Sequence, residues 1–490
     1  MNEIDAEFEG RAGALPWLGI GLSVDLYSPN LFNLVGALRA VGCSFGYLEL
    51  FKASESGLRE VGRRLPDVPF AFHGEGLWLT QPDFQGTPQG ECELDATIAQ
   101  LNVLGCRWIN HECASKQIGG YAFGTYLPPL FTEAAAEVVA ENARYIQTRL
   151  DRGCLSADGR APFLLLEVPP WTYFGAGHLE VPAFFTLITA QAPCGLVLDL
   201  GHLWTVYRYS GAWRTQSLRD FAARFFDDFP LERVVQIHVA GLALHEQLPE
   251  SPNETFTELP LWIDAHGAPI PAVLFELLAQ ALATGRMTHL KGVALEVDTK
   301  SIDLIVEEFG RCHDRFGEWS PSPSAPRSTV RGEASGQPLH REPRPFLPET
   351  ERAVVRAHYR SYAETAIGSV STVAPTNLPQ ASIDPAMLAL YRETYLPYEI
   401  LRWGGDLRAM FPETCGLLDR AEVTLDRFVA YWFREPRASD APYDFFLLKI
   451  DRFLAFVREI LPWASDVASQ EAADLRVGYQ LACEQVSSDE

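Results

Sequence analysis

The chain has 490 residues, 47% hydrophobic and 11% aromatic, with 40 basic against 64 acidic side chains and a formal charge of −24. That is apolar material for a large core and length for two or more domains, whereas so acidic a surface repels nucleic acid and anionic lipid headgroups. No apolar run reaches the roughly 20 residues of a membrane span, the acidic first 13 residues lack the features of a secretory signal, and the nine cysteines include no Cys-x-x-Cys pair. The expectation is a cytoplasmic protein with no disulfide framework or cysteine zinc site, and with neither nucleic acid nor membrane as partner.

Apolar, strand-like runs occur at Leu18–Leu22, Phe45–Leu50, Pro69–His73, Arg107–His111, Phe163–Glu167, Gly195–Asp199, Val234–His238 and Gly292–Glu296. Stretches of helical period lie between them, among them Leu31–Val41, Glu93–Leu104, Phe131–Leu150, Val181–Gln191, Ser217–Phe229, Pro271–Thr284 and Ile302–Phe316. Eight strand-helix units predict a (β/α)8 TIM-type barrel over residues 1–316, with a doubly wound open sheet as the alternative. Residues 317–350, opening with Trp319-Ser320-Pro321-Ser322-Pro323, read as a proline- and serine-rich linker. Beyond it Glu349–Ile367, Asp384–Trp403, Cys415–Phe433, Tyr443–Ile460 and Ala464–Val486 predict a mostly α-helical region over 351–490. The linker is long enough for that region to fold back over the barrel mouth.

The chemistry gathers at the carboxyl ends of the strand-like runs. His73, His111, Glu167, Asp199, His238 and Glu296 close six of them, His202 follows the sixth, and Asp264 and His266 follow the seventh. Singly, each has a structural explanation: a histidine satisfied by hydrogen bonds, a glutamate in a rim ion pair, Asp199 as a helix N-cap. Together, five of the eleven histidines and four acids hold the same relative position, at the face where parallel barrels build their sites. Imidazole and carboxylate donors without cysteine favour zinc, iron or manganese, and nine donors suit a cluster of two or three ions. Glu49, Glu75, Asn110, Glu112, His245 and Asp298 read as supporting or rim polar groups, and Cys113 as inert. Gly19-Ile20-Gly21 lacks the third glycine of a dinucleotide fingerprint.

Ile237-His238-Val239-Ala240-Gly241, with Ile263-Asp264-Ala265-His266-Gly267-Ala268-Pro269-Ile270-Pro271, resembles the His-x-Ala-Gly and Asp-x-His-Gly-x-Pro-Val signatures of the multinuclear non-heme iron-dependent oxidases, and His73-Gly74-Glu75-Gly76-Leu77 resembles their His-Gly-x-Gly-Leu motif. The methanobactin oxazolone synthase is the best-known type. The resemblance implies that His73, His111, Glu167, Asp199, His202, His238, Asp264, His266 and Glu296 hold two or three irons. It further implies dioxygen as co-substrate and a ribosomal precursor peptide as substrate, often modified at cysteine, in natural-product biosynthesis. This chain departs from the family at Val168 and His202, where asparagine is usual, and at Asn110, where an acid is common. Phe411-Pro412-Glu413, Leu425-Asp426-Arg427-Phe428-Val429, Phe445-Phe446 and Phe453-Leu454-Ala455-Phe456 weakly resemble the small partner proteins that present the peptide to these oxidases; residues 351–490 would then replace a separate partner protein, with a plain oligomerising helical bundle as the alternative. Endonuclease IV and xylose-isomerase-like barrels share the Asp-x-x-His and Asp-x-His order, which leaves a metal-dependent hydrolase or isomerase as the alternative function.

Overall fold

Eight parallel strands close into a barrel in chain order: β1 (Gly19–Val24), β2 (Leu48–Phe51), β3 (Phe70–His73), β4 (Trp108–Glu112), β5 (Phe163–Glu167), β6 (Gly195–Asp199), β7 (Val234–Val239) and β8 (Gly292–Glu296), the last pairing back with the first. The molecule is a computed structural model that describes residues 2–154, 159–248, 259–319, 347–368, 383–436 and 444–488. Every strand coincides with one of the eight apolar runs, and each of the seven predicted barrel helices forms. Most of the linker, residues 320–346, lies outside the described residues.

Register follows from the two-residue period of a strand. Ser23 lies opposite Glu296, Asp199 opposite His238 and Glu112 opposite Glu167, so the polar strand ends face one cavity while Ile109, Leu166, Leu198, Ile237 and Leu295 turn outward to the helices. On β7 the residue partners skip Val235, a bulge that turns both Val235 and Gln236 inward. Gln236 thereby ties the barrel axis together: Trp108 Nε1 donates to its Oε1 at 2.7 Å, and its Nε2 donates to Tyr47 OH at 3.1 Å and Glu49 Oε2 at 2.7 Å. The Tyr47 ring fits because Gly21 and Gly292 lie against it; a Cβ at Gly21 would meet ring carbons at 2.5 Å. Below, the N-terminal helix Glu3–Gly13 closes the amino-end mouth with Phe8 and Ala12, which join Trp108, Phe163 and Leu165 in a separate apolar cluster.

The loops at the carboxyl face are built out. After β4 an antiparallel hairpin pairs Ser115–Ile118 with Tyr121–Leu127, and after β7 Leu242–Leu244 pairs with Trp262–Asp264. The C-terminal helices dock on this face through one shared core. Phe174 meets Tyr391 and Tyr362 at ring centroid separations of 5.0 and 6.1 Å, Tyr173 meets Tyr395 at 5.8 Å, and Trp432 Nε1 donates to Ala122 O at 2.7 Å. His245 also belongs to this junction, with Nε2 3.2 Å from Glu399 Oε1 and its ring edge-on to Tyr395 and Tyr398. Arg352 spans the two parts, donating to both oxygens of buried Glu141 at 2.6 and 2.7 Å and to Pro82 O at 2.8 Å. Glu141→Gln, which strips the charge from one side of this pair, is expected to lower unfolding free energy by about 3 kcal/mol in denaturant melts; an unchanged midpoint would mark the contact as dispensable.

Two predicted helices are interrupted. Pro385–Arg402 runs through a π-helical turn at Tyr391–Tyr395, just before Pro397, whose missing amide hydrogen breaks the regular ladder. The segment expected over Cys415–Phe433 is two helices, Pro412–Arg420 and Asp426–Trp432. Glu422 between them takes φ 56°, and Val423 N reaches back to Leu418 O at 2.9 Å, a left-handed helix stop. None of the described helices is long and apolar enough to cross a membrane.

Candidate metal centre

Donor atoms of His73, Glu167 and His238 lie within 4.8 Å of one another, as do those of Glu167, Asp199, His238 and Glu296, and those of Glu112, His202 and Asp264. Seven of the nine residues expected from the sequence stand in these groups, and Glu112, expected only as a supporting residue, joins the third. His266 adjoins them, with Nε2 3.2 Å from Asp264 Oδ2 and 3.4 Å from Glu296 Oε2. His111 stands apart from the groups: Leu77 N donates to its Nε2 at 3.1 Å, and its Nδ1 lies 2.7 Å from Glu112 O. It can join a cation only if the Leu77 amide lets go.

Local structure aims these side chains. His202 is on the first turn of the helix Leu200–Tyr209, where Asp199 is the N-cap: Asp199 Oδ1 accepts the His202 amide at 2.5 Å while Oδ2 stays buried without a partner. The capping role and the cavity-facing role thus fall to different oxygens of one carboxylate. His202 Nδ1 lies 2.6 Å from Val168 O, and His266 Nδ1 lies 2.6 Å from Asp298 Oδ1, so in both rings Nε2 turns to the cavity. Such outer partners fix ring orientation and tautomer. Asp264 and His266 come close to β7 because Gly241 has no side chain; a Cβ there would lie 2.1 Å from Ala268 O and 2.6 Å from Ala265 O. That contact is the physical content of the glycine in His238-Val239-Ala240-Gly241.

His238 is the hub. Its Nδ1 is 3.0 Å from Glu167 Oε1 and 3.3 Å from Glu296 Oε1, and its Nε2 is 3.0 Å from Glu49 Oε1. Glu49, fully buried, is the residue the sequence undervalued. Asn110 Nδ2 supports Glu167 Oε2 at 3.3 Å, an amide where an acid would add another negative charge.

Burial disfavours the His73 imidazolium, yet Glu167, Glu49 and Glu296 outweigh it and hold this group up at about 9. His202, His238 and His266 are likewise raised well above their usual value against burial by facing carboxylates. Burial also opposes ionisation of Glu167 and Asp264, but the histidines beside them hold both carboxyls well below the usual range. Burial pushes Asp199 well up, Glu112 up to about 7, and His111 down to about 4.

The residues fit a metal cluster on a direct observation. His73 Nδ1, Glu112 Oε2, Asp199 Oδ2, His202 Nε2, Asp264 Oδ1, His266 Nε2 and Glu296 Oε2 are all buried without a hydrogen-bond partner. So many unsatisfied donors and acceptors in one cavity are costly unless something else binds them. Asp298→Asn keeps the size of the group that orients His266 and removes its charge, and it is expected to weaken metal affinity 10- to 100-fold in chelator competition. Unchanged affinity would show that His266 needs no such support.

Cys113 is fully buried and its thiol is pushed far up by that burial, in keeping with an inert role. Cys43, Cys92, Cys106, Cys113, Cys154, Cys194, Cys312 and Cys415 are all free thiols.

A family model described as "RiPP precursor modification enzyme MbnB/TglH/ChrH" matches residues 47–313, more than half of the chain. Among curated relatives, a UPF0276 protein of Vibrio vulnificus (strain YJ016) is 23% identical over 200 residues, which cover 41% of this chain and 60% of that protein. A UPF0276 protein of Anaeromyxobacter sp. (strain Fw109-5) is 26% identical over 226 residues, covering 46% of this chain and 68% of that one. The chain thus spans about 60% of the length of the Vibrio relative. Among solved structures, endonuclease IV from Thermus thermophilus aligns with a TM-score of 0.37 and 16% identity, covering 61% of this chain and 98% of that one. A sugar phosphate isomerase/epimerase from Parabacteroides distasonis aligns with a TM-score of 0.37 and 11% identity, covering 62% and 96%.

Proposed function

Because the chain belongs to the family of RiPP precursor modification enzymes described as MbnB/TglH/ChrH, we propose that it oxidises a ribosomally made precursor peptide, with cysteine as the residue changed. The reading takes dioxygen as oxidant and a centre of two or three irons held by His73, Glu167, Asp199, His202, His238, Asp264, His266 and Glu296, with Glu112 beside His202 and Asp264 and with His111 joining only on release of the Leu77 amide. The observation that carries it is the convergence of partnerless imidazole nitrogens and carboxylate oxygens on one buried cavity. Ferrous iron held by these histidines and carboxylates would supply redox chemistry toward dioxygen.

The chain's own groups prepare that site. Asp298 and the Val168 carbonyl hold His266 and His202 in place, while Glu49 and Asn110 brace His238 and Glu167. Glu112, whose Oε2 is buried without a hydrogen-bond partner, offers a further carboxylate beside His202 and Asp264. The C-terminal helices pack on the loops after β4 and β5 through Trp432, Tyr362, Tyr391 and Tyr395. Access remains beside β8, where the side chains of Asp264, His266 and Asp298 keep 18%, 17% and 23% exposure. We further propose that residues 351–490 help receive the peptide.

The test is to co-produce the chain with the short peptides encoded beside it and weigh them. A peptide mass change that requires iron and air, and is lost in Glu167→Gln, is expected. Unaltered peptides alongside iron-loaded protein would overturn the reading.

A further inference from the structure

The mouth of the barrel carries a cation that its surroundings match only loosely. Lys116, on the hairpin strand Ser115–Ile118, is 8% exposed. Its Nζ lies 3.8 Å from Glu75 Oε1, beyond hydrogen-bond distance, and 4.5 and 4.8 Å from the ring centroids of Tyr126 and Trp403. Two aromatic faces therefore flank the ammonium, and no hydrogen bond from it to another described residue competes for its N–H donors. Tyr126 lies edge-on to His111 and has a hydroxyl sealed from solvent without a hydrogen-bond partner.

Trp403 comes from the other end of the chain, directly after the helix Leu396–Arg402, and is 45% exposed. Its place is built rather than incidental. Buried Lys449 donates to the carbonyls of Trp403 and Gly405, the latter at 2.8 Å, and Gly404 and Gly405 take the left-handed φ values of 66° and 113° that this tight loop needs. The C-terminal helices thus hold an aromatic wall against a barrel lysine at the edge of the metal cavity. Glu75, the carboxylate in ion-pair range of Lys116 among the described residues, has a side chain 41% exposed.

We propose that Lys116, clamped between Tyr126 and Trp403, receives a carboxylate of the substrate peptide, so that the C-terminal region supplies part of the substrate-binding rim. The inference deepens the reading above and rests on it for the substrate class. In a chain of net charge −24 with an acid-rich cavity, an incoming anionic group needs a fixed cation at the entrance. The Glu75 carboxylate holds the place that the substrate carboxylate would take.

The test uses full-length, metal-loaded protein and two pairs of short peptides, with binding read by ligand-observed NMR. Acetyl-Gly-Gly-Glu-amide against its Gln counterpart probes a side-chain carboxylate; acetyl-Gly-Gly-Gly with a free or an amidated end probes a terminal one. In at least one pair the carboxylate form is expected to bind at least tenfold tighter. Lys116→Met should bring the two forms within about twofold while metal content stays unchanged, Lys116→Arg should retain most of the preference, and Trp403→Ala should weaken the carboxylate form. No discrimination in either pair, or discrimination that survives in Lys116→Met, would overturn the proposal. Since neither iron identity nor dioxygen uptake enters this readout, its failure is separate from failure of the oxidase reading.

Discussion

A chain ending at Trp319 is expected to be lost as a soluble protein, not to persist as a bare metal-loaded barrel. The C-terminal helices share one apolar core with the barrel loops, and their removal uncovers Phe123, Leu127, Leu130, Tyr173 and Phe174 together with the partners of Tyr359, Tyr362, Tyr391 and Tyr395. Burial of each large apolar side chain contributes about 1.5–3 kcal/mol. Losing several at once rivals the total stability of a domain, about 5–15 kcal/mol, and the exposed patch would favour aggregation. Arg352 would also leave Glu141 unpaired in a buried position. Soluble yield and size-exclusion profiles decide the matter: a monodisperse truncated chain with full metal content would make the helical region a detachable module, as its linker alone would suggest.

His238→Ala is the second large effect. The side chain links Glu49, Glu167 and Glu296, so its loss removes a donor from two of the three candidate groups and leaves three buried carboxylates facing one another. At least one metal per chain should disappear, and the metal-free variant should be less stable than the metal-free parent by about 3–5 kcal/mol, the cost of breaking a buried ionic cluster. Metal content by mass spectrometry, read together with denaturant melts, checks both parts. Full occupancy in this variant would show that His238 is a structural residue.

The barrel was legible because buried parallel strands read as continuous apolar runs, and six of the eight runs end in a polar residue at the carboxyl face. Hence Phe163–Glu167 and Gly195–Asp199 are found as expected, with their acids in the cavity. Glu49 was harder to place because it lies two residues before the end of β2, inside the barrel, and its importance depends on the inward turn of Gln236 at the β7 bulge. The hairpin strand Ser115-Lys116-Gln117-Ile118 offers no apolar run to detect. His245 resembles the other strand-end histidines in sequence yet serves the junction with Glu399, since which loop a distant helix covers is set by tertiary packing. For the same reason the meeting of Lys116 with Trp403 has no local signal.

The central claim is a cluster of redox-active ions in this cavity, and metal analysis coupled to dioxygen uptake tests it most directly. Protein purified without air should carry two or three irons per chain, show a charge-transfer or intervalence band on partial oxidation, and consume dioxygen in the presence of its peptide. Stoichiometric zinc, with no dioxygen uptake and with phosphodiester cleavage, would contradict the account and make the protein a metal-dependent hydrolase.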